Sequence, residues 1–591
     1  MWPKIAFSII ALTALGHTGI AQSTYRWSEC KQRVLDIQTG NLTLGLISNE
    51  TIDQYLYHGQ VVGLDKSFPR DKYLSVTYQG CLAICGNPIA FYEPQRALSL
   101  ASNWIFPLAI LLNLPWESLH RQKLSKTLVT ALNWLGSPQT ALTAIIFNFH
   151  QLRDAYRRTP VNSFLWHLYS AAYYVLYCVD QFDGLTLVNA DAAGASARPA
   201  PALEVLMYGL FRPLSKDPDP DVRLTNQLLV TLAFQLRILR RRNVIPTLAN
   251  LMIFLIAFIF SVILAFGEMG ADNTPFSLTF GLFVTWLPLL VVFSIVDRNP
   301  VSTDRTAILI SRWLYNVYAV KTWAVQDGTI PTPIKWWRPG DDVPDCFRAY
   351  NFIGQGRELG YRGLLHATLK ISETADLCAK SGKGQIKCTE EISIRVAEKL
   401  SGRKPWAWYV TALTALLLVW TAVLSAFVVS FYAPTVGLHC RPLTYLLFGV
   451  FSSVPWIVQF SKRSQPWAIW VSHVFNSLAI LAFLAAIVFQ VTGVTSNCFC
   501  RSSAVNLGYA KAYLDFEGFA FYRQNFNVDS FWISAAVVGG LAPAVAFMVA
   551  LFWWFKCKPF WRVDENETQH WPESGYELQD WVGSADTAWL Q

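Results

Sequence analysis

Cysteine is the residue type in this sequence with the most chemistry to offer, and its spacing leaves three alternatives. Cys81 and Cys85 stand in the stretch TYQGCLAICGN, and Cys498 and Cys500 are separated by one residue. Closely spaced cysteines can bind zinc, exchange electrons or form structural disulfides. Structural zinc requires a second matching pair, which Cys498-Phe-Cys500 does not supply, and no C-x-x-C redox motif is present. The compartment in which these residues lie therefore decides their chemistry.

The first 21 residues predict a secretory signal peptide. Lys4 is followed by an apolar run, Ile5 to Leu15, and Gly19 and Ala21 supply small residues at the −3 and −1 positions of a cleavage site. An uncleaved first membrane anchor is the alternative, but the run is short for a membrane span. A signal peptide would place residues 22–96 in the lumen or outside the cell.

Glycosylation sequons agree with a luminal position for this segment. Asn41 and Asn49 each begin an N-x-T sequon and are the candidate glycosylation sites. A third sequon at Asn566 falls in the C-terminal tail, which we place in the cytosol, so we expect it to be unused.

The composition predicts an integral membrane protein. Of the 591 residues, 53% are hydrophobic and only 15% are charged, whereas soluble domains carry about 25% charged residues. The net charge of +8 does not indicate nucleic-acid binding, because the basic residues cluster beside apolar runs, where membrane orientation explains them. The lipid bilayer is the predicted partner, and the sequence predicts no nucleic-acid partner and no cofactor.

Nine apolar runs are long enough to cross a bilayer, which takes about 20 residues. They are 97–116, 127–152, 159–179, 243–267, 273–296, 405–440, 442–461, 464–500 and 530–555. Two of them are doubtful, because 127–152 carries the polar sequence Asn133 to Gln139 at its centre and 159–179 contains His167.

The distribution of positive charge selects a topology, since cytoplasmic loops are enriched in Lys and Arg. The arginines at 237 and 240–242, the loop 297–404 and the start of the tail all belong on the inner side by this rule. If both doubtful runs crossed, Arg153, Arg157 and Arg158 would lie outside. We therefore predict that neither fully crosses, one being re-entrant and the other lying on the inner face.

The predicted fold is an all-α multi-pass membrane protein with seven transmembrane helices, an outer N-terminus and an inner C-terminus. Nine spans is the alternative, with the same placement of both ends. The predicted segments are a signal peptide (1–21), a luminal cysteine segment (22–96), a first membrane region (97–296) with spans 97–116, 243–267 and 273–296 and a cytosolic or re-entrant insert (117–242), a cytosolic basic loop (297–404), a second membrane region with four spans (405–555) and a cytosolic tail (556–591).

This topology divides the eleven cysteines into two sets. Six are predicted to be luminal, where disulfides form, and are the disulfide candidates: Cys30, Cys81, Cys85, Cys440, Cys498 and Cys500. Three of them lie in the N-terminal segment and three in the late loops, so complete pairing requires at least one bridge between these two parts of the chain. Six cysteines allow fifteen pairings, and the sequence does not choose among them. Among the inner five, Cys557 at a span boundary is a candidate for palmitoylation, with an unmodified thiol as the alternative.

The predicted spans offer little catalytic chemistry. Their interiors carry no charged residue, which argues against a proton-coupled carrier. The polar candidates are His473, Asn476 and Gln490, with Gln459 nearby, and helix–helix hydrogen bonding explains them more simply than catalysis. The glycine-rich sequence NFIGQGRELGYRGLLH lacks the strand that precedes a phosphate-binding loop, so it predicts a turn before a helix. The sequence predicts no catalytic residue and no metal site.

Several sequence motifs together resemble a family of uncharacterised integral membrane proteins of filamentous ascomycete fungi. The motifs are GCLAICG, LNWLGSP, DRNPVSTDR, RWLYNV, GQGRELGYRGLLH, APTVGLHCRPLTYL and NCFC, spread over about residues 75–560. The resemblance implies a signal peptide, a luminal cysteine segment and a large cytosolic loop, and it implies no catalytic residue.

The expected function is that of a non-enzymatic receptor-like or scaffold protein at the plasma membrane or in the endomembranes of the secretory pathway. A cytosolic protein partner is expected to bind through 297–404. A transporter or facilitator for a small molecule, such as a secondary metabolite, is the alternative.

Overall fold

The computed structural model describes the chain in separate stretches. These are residues 27–38, 54–59, 75–86, 121–159, 166–189, 198–214, 219–240, 276–297, 303–325, 343–354, 362–371, 385–432, 435–462, 465–495, 497–516 and 528–562, with the single positions 256, 356 and 359. The described regular structure is almost entirely helical, as predicted. Two predicted spans, 97–116 and 243–267, lie outside the described residues except for position 256.

The first half of the chain contains ten helices and three short strands within the described residues. They are α1 (Trp27–Gln38), β1 (Ser75–Thr77), α2 (Tyr78–Cys85), α3 (Arg121–Gly136), α4 (Pro138–Arg158), α5 (Trp166–Asp180), β2 (Val188–Asn189), β3 (Arg198–Pro199), α6 (Pro201–Phe211), α7 (Pro220–Ile238), α8 (Phe276–Phe283), α9 (Trp286–Asp297) and α10 (Thr303–Val325). Single turns of 3₁₀-helix lie at Arg212–Leu214, directly after α6, and at Asp345–Phe347, after α10.

The second half begins with an amphipathic helix and continues with long apolar ones. The elements are α11 (Gln385–Ser401), α12 (Trp406–Phe431), α13 (Cys440–Lys462), α14 (Pro466–Thr492), α15 (Cys498–Arg501), α16 (Ala504–Leu507), β4 (Tyr513–Asp515), α17 (Val528–Lys556) and α18 (Lys558–Trp561). Within the described chain, four helices are long and apolar enough to cross a membrane, namely α12, α13, α14 and α17. They make this a membrane-associated protein.

The four long helices form a bundle with α4, α8 and α9. Helices α12, α13 and α14 pack in sequence order, and α17 packs against α12 and α9. At one end, the rings of Tyr432 and Phe531 stack with their centroids 4.7 Å apart, joining the end of α12 to the start of α17. Wide apolar stretches of α14 and α17 remain exposed, including Leu481, Leu541 and Met548. Such surfaces suit contact with lipid.

The predicted span 273–296 is interrupted. It forms two helices, α8 and α9, with a turn at 284–285, and its apolar helical part, Leu278–Phe293, is shorter than the four long helices. The described residues therefore support four spanning helices and not the predicted count of seven. The sides on which the chain termini lie are likewise not supported by the described residues.

Helix α4 is packed within the bundle, against α9 and α12, although its sequence has a polar start. Helix α5, from the other doubtful run, belongs to a separate core outside the bundle. The break between α3 and α4 falls at Ser137, because Pro138 has no amide hydrogen and is tolerated only in the first turn of a helix.

The second core, which we call the helical domain, is built from both predicted inner segments. Helices α5, α6 and α7 from the insert 117–242 pack with α10 and α11 from the loop 297–404 and with Trp561 of α18. Since the two segments share one apolar core, they are one folded unit rather than two loops.

Gly356 explains part of the glycine-rich sequence in the loop. Its backbone φ is +64°, and a Cβ atom there would lie 2.5 Å from the carbonyl oxygen of Ala141 in α4. Glycine is therefore needed both for the backbone conformation and for the close approach of the loop to the bundle. The glycine-rich sequence around Gly356 therefore forms a turn that packs against α4, in agreement with the predicted turn before a helix.

A third, small core lies at the end of the bundle where α12 and α14 finish. It contains α1, α2 and α15, together with strand β1, which pairs antiparallel with β4 so that Ser75 faces Asp515. We call this unit the cysteine cap, because its buried side chains include Cys30, Cys81, Cys85 and Cys498.

Candidate functional site

The cysteine cap brings all six disulfide candidates into three pairs. Cys30 pairs with Cys85, Cys81 with Cys498 and Cys440 with Cys500, with Cα–Cα distances of 5.2, 6.0 and 4.9 Å. These separations lie in the normal range for disulfides. The Cys81–Cys498 pair joins the N-terminal segment to the loop after α14 across 417 residues of sequence.

Local capping fixes the short helices that carry these cysteines. The hydroxyl of Thr77 accepts a hydrogen bond from the amide of Gly80 at 3.0 Å and so caps α2. The side chain of Asn497 caps α15 in the same way, since its Oδ1 accepts from the amide of Cys500 at 2.7 Å. Capping residues satisfy the first amides of a helix and so fix where it begins. The caps of α2 and α15 therefore fix the positions of the cysteines that these helices carry.

The remaining described cysteines form no disulfide, and they lie elsewhere. Cys178, Cys346, Cys388 and Cys557 carry no disulfide. Cys557, the palmitoylation candidate, is fully buried in the helical domain, and burial raises the pKa of its thiol to about 12. Acylation would require this thiol to become exposed first. The glycosylation candidates Asn41 and Asn49 lie outside the described residues.

A group of neutral polar side chains is buried at mid-depth in the bundle, and we call it the bundle polar cluster. It consists of Ser137, Gln139, Thr140, Thr143, Ser452 and Ser453. Gln139 donates from Nε2 to the hydroxyls of Ser452 at 2.9 Å and Ser453 at 3.3 Å. Ser137 lies 2.6 Å from the hydroxyl of Thr140 and donates to the carbonyl of Ser452 at 3.1 Å. These bonds connect the broken helix α3–α4 to α13.

Two tryptophans close the sides of this cluster. The indole of Trp420 donates to Ser453 Oγ at 3.0 Å, and that of Trp456 donates to Thr143 Oγ1 at 3.1 Å. The Gln139 Oε1 atom is fully buried and has no hydrogen-bond partner among the described residues. The cluster therefore holds one spare acceptor and no ionisable group, so it can hydrogen-bond a neutral molecule but offers neither a nucleophile nor a general base.

The polar residues predicted from the spans do not assemble into a site. Asn476 donates to Asn133 Oδ1 at 3.3 Å, joining α14 to α3. His473 lies on the exposed face of α14, the Gln459 side chain is half-buried, and the side chain of Gln490 is not described. The contacts of Asn476 agree with a helix–helix role. The sequence missed Gln139 as a buried residue because its partners lie more than 300 positions away.

We expect Gln139 and Ser452 to be energetically coupled. In a double-mutant cycle of Gln139→Ala and Ser452→Ala, the coupling should lie between about 0.6 and about 1.7 kcal/mol, the average and the largest value measured for hydrogen bonds between membrane helices. Thermal unfolding of the full chain in lipid nanodiscs provides the measurement. Ser477→Ala is the control, since Ser477 is exposed on α14 and donates only to the carbonyl of His473 in its own helix. A coupling to Ser452 no larger than that to Ser477 would contradict the prediction.

The helical domain buries charges that the sequence analysis did not single out. Asp221 accepts from Tyr208 Oη at 2.6 Å and from Arg212 Nε at 2.7 Å, and all three residues are shielded from solvent. Burial would raise the pKa of Asp221, but the hydrogen bonds from Arg212 and Tyr208 outweigh it and lower the pKa. The sequence signal was the run FRPLSKDPDPD, in which a helix end and a proline-initiated helix bring opposite charges close together.

Asp180 is a second buried carboxylate of this domain. Its Oδ1 accepts from the amide of Leu364 at 2.9 Å, which fixes residues 364–371 to the end of α5. Burial raises the pKa of Asp180 to about 6, although the positive charge of Arg362 opposes the rise. Arg362 itself donates to the carbonyls of Phe182 and Leu185, so its position does not depend on Asp180 alone.

We predict a pH-dependent stability that the substitution Asp180→Asn removes. Since the folded state holds a proton that the unfolded state releases near pH 4, stability falls as the pH rises from about 4 to about 6. The loss amounts to about 3 kcal/mol at two pKa units. The difference in melting temperature between wild type and D180N, followed from pH 4.5 to 7, is the measurement.

Wild type must be compared with D180N because the titration of His366 changes the stability with pH in the opposite direction to that of Asp180. Burial lowers the pKa of His366 to about 4, so its contribution to stability falls as the solution becomes more acidic. Asparagine retains an Oδ1 that can accept from Leu364, so the fold is preserved. Parallel pH profiles of the two proteins would show that Asp180 does not titrate in this range.

Metal chemistry has no support in the described part of the chain, where no group of three His, Cys, Asp or Glu side chains is placed to hold an ion. Comparisons with known proteins do not identify a function either. No family model matches the chain, and neither the curated proteins nor the solved structures that were searched contain a significantly similar one.

Proposed function

We propose that the protein is a non-enzymatic receptor-like or scaffold protein of the fungal cell surface or secretory pathway. The cysteine cap faces the lumen or the outside, and the helical domain faces the cytosol. One observation carries the proposal: the Cys81–Cys498 pair attaches the N-terminal segment to the membrane bundle at the end opposite the helical domain. A rigid connection of this kind suits a protein that links an outer surface to an inner one.

The distribution of thiols supports this orientation. The six paired cysteines lie at one end of the bundle. The described cysteines without a disulfide, Cys178, Cys346, Cys388 and Cys557, belong to the parts that form or adjoin the helical domain. Oxidising compartments favour disulfides and the cytosol keeps thiols reduced. Arg153 and Arg157 lie over Trp553, in the last turn of α17, at the helical-domain end of the bundle. Their positive charge agrees with the enrichment of Lys and Arg on cytoplasmic faces.

The helical domain offers a surface for the expected cytosolic partner. Tyr315 and Tyr318 are three residues apart on α10 and are each 42% exposed, and Tyr350 in the same predicted loop is 61% exposed. Exposed tyrosines are enriched in protein–protein interfaces because they combine apolar area with a hydroxyl group. A protein that binds through 297–404 would contact this face.

Glycosylation tests the orientation directly. We expect the protein to shift to lower mass on treatment with an endoglycosidase, and the shift to disappear in an Asn41→Gln/Asn49→Gln variant. Asn566→Gln is the matched control and should leave the shift unchanged, because a cytosolic sequon is not glycosylated. A shift that depends on Asn566 and not on Asn41 or Asn49 would reverse the proposed topology.

A transporter or facilitator of small molecules is the second candidate, and the bundle polar cluster favours it. Discontinuous helices commonly form the substrate sites of transporters, and here the break at Ser137 lies beside Gln139, whose Oε1 has no partner among the described residues. Flux of a panel of neutral metabolites into vesicles would test it. Transport that is lost in Gln139→Leu would support this candidate, whereas no flux above empty vesicles would count against it.

A further inference from the structure

Arg240 is a buried cation beside the core of the helical domain. It lies two residues beyond the end of α7 and is 4% exposed, and its Nε, Nη1 and Nη2 atoms have no hydrogen-bond partner among the described residues. No carboxylate of the described chain forms an ion pair with it. Burying a charge without a partner is strongly unfavourable, so buried charges in proteins are normally paired or bind an ion.

Aromatic rings hold this guanidinium in place. It lies over the ring of Trp561 at 4.4 Å and over that of Tyr174 at 5.7 Å. Cation–π contacts orient a guanidinium and leave its N–H groups, which lie in the plane, able to donate. They fix the position of the donors but do not supply an acceptor.

The donors border a small cavity. Beside Arg240 it is lined by Tyr174, Cys178, Gln181, Leu236 and Thr306. Its enclosed space is about 10 Å³, enough for one oxygen-sized group. A single oxygen of a larger anion could enter, and the rest of the anion would remain at the mouth of the cavity.

Further arginines surround the site. Arg237 lies 5.5 Å from the Tyr174 ring and donates to Ser170 Oγ at 3.0 Å. Arg153 and Arg157 of α4 lie 5.7 and 4.7 Å from the centre of the Trp553 ring. Trp553 is in the last turn of α17. Arg153, Arg157 and Arg240 each lower the pKa of the Cys557 thiol by their positive charge, although burial dominates and raises it.

This position is where a bilayer surface is expected. Trp561 follows the end of α17 by five residues, and the sequence after Arg240 continues with two more arginines and the apolar run 243–267. Tryptophan and arginine both concentrate at the level of lipid headgroups, and basic pockets on the cytoplasmic side bind anionic headgroups.

We propose that Arg240 is the central residue of a binding site for the phosphate of an anionic membrane lipid. One phosphate oxygen occupies the cavity and accepts from the guanidinium. The other oxygens lie toward the surrounding arginines, and the acyl chains stay in the bilayer. Arginine suits this role because its planar donors match the geometry of phosphate.

The test uses the full-length protein in nanodiscs of phosphatidylcholine, with and without added phosphatidic acid. We expect phosphatidic acid to raise the melting temperature of the wild type, and native mass spectrometry to show retained lipid. Arg240→Gln should weaken the apparent lipid affinity by about 30-fold or more, as expected on removing one partner of a buried charge pair.

Two further variants make the result decisive. Arg395→Gln, in an exposed pair with Glu391 on α11, should respond to phosphatidic acid as the wild type does. Arg240→Met keeps the apolar stem on Trp561, so it should remain folded and still fail to respond. If inorganic phosphate in phosphatidylcholine nanodiscs reproduces the full effect, the lipid is overturned as the source of the phosphate. If neither ligand stabilises the wild type, or both Arg240 variants respond like it, the site itself is overturned.

Discussion

Asp221→Leu is expected to destabilise the helical domain by about 3–5 kcal/mol, the usual cost of removing one partner from a buried ion pair. The substitution leaves Arg212, only 3% exposed, without its two hydrogen bonds to the carboxylate at 2.7 and 3.1 Å. Asp219 cannot compensate, because it is 54% exposed and contacts a single guanidinium nitrogen. Tyr208 also loses its acceptor. Thermal unfolding of the full chain in nanodiscs should show the change as a large drop in melting temperature.

The double variant Arg212→Met/Asp221→Leu separates charge burial from simple loss of packing. Since replacing both members of a buried pair with apolar residues of similar size is often neutral, the double variant should recover most of the stability lost in D221L. Glu391→Ala is the matched control, because the Glu391–Arg395 pair is exposed and should contribute less than about 1 kcal/mol. A double variant as unstable as D221L would show that the ion pair is not the source of the effect.

The apolar runs predicted the long helices well because such a run determines both the type and the length of a helix. The predicted runs 442–461 and 530–555 correspond closely to α13 and α17. The longer runs 405–440 and 464–500 included loop residues, since apolar composition does not mark a helix end. Gly493, with a φ of +76°, ends α14. A glycine at this position marks a helix end in the sequence, but a hydropathy profile does not detect it.

The arrangement of the inner segments could not be predicted from the sequence. The insert 117–242 and the loop 297–404 are predicted as separate segments, but their helices share one core in which Gly209 of α6 packs against Trp313 of α10. Local patterns show that a helix has an apolar face, but not which distant helix covers it. The same limit applies to Gln139. A polar side chain is buried only where it finds a hydrogen-bond partner, and its partner Ser452 is distant in the sequence.

The cysteines show both the strength and the limit of sequence reasoning. Counting indicated that complete pairing needs a bridge between the N-terminal segment and the late loops. It could not select Cys498 as the partner of Cys81, because this choice depends on where strand β1 meets β4. Once Ser75 lies opposite Asp515, helices α2 and α15 are brought into contact and their cysteines with them.

The Cys81–Cys498 bridge is expected to hold the two halves of the chain together after cleavage. A protease site inserted at 381–384, a glycine- and lysine-rich stretch outside the described residues, would divide the chain between α10 and α11. Of the three bridges, only Cys81–Cys498 then joins the halves, because Cys30–Cys85 lies in the first and Cys440–Cys500 in the second. The cleaved protein should run as one band without reducing agent and as two bands with it.

Cysteine variants in the cleavable protein assign this result to one bond. The Cys81→Ala/Cys498→Ala variant should give two bands under both conditions, whereas Cys440→Ala/Cys500→Ala should behave like the unmodified protein. In the uncut chain, loss of the long bridge should also lower stability by about 2–5 kcal/mol, since a disulfide restricts the unfolded chain most when it closes a long loop. Two bands from the unmodified protein without reducing agent would show that the halves are not covalently joined. The cysteine cap would then be held only by its small apolar core and the β1–β4 pairing, and the proposed rigid connection across the bundle would lose its basis.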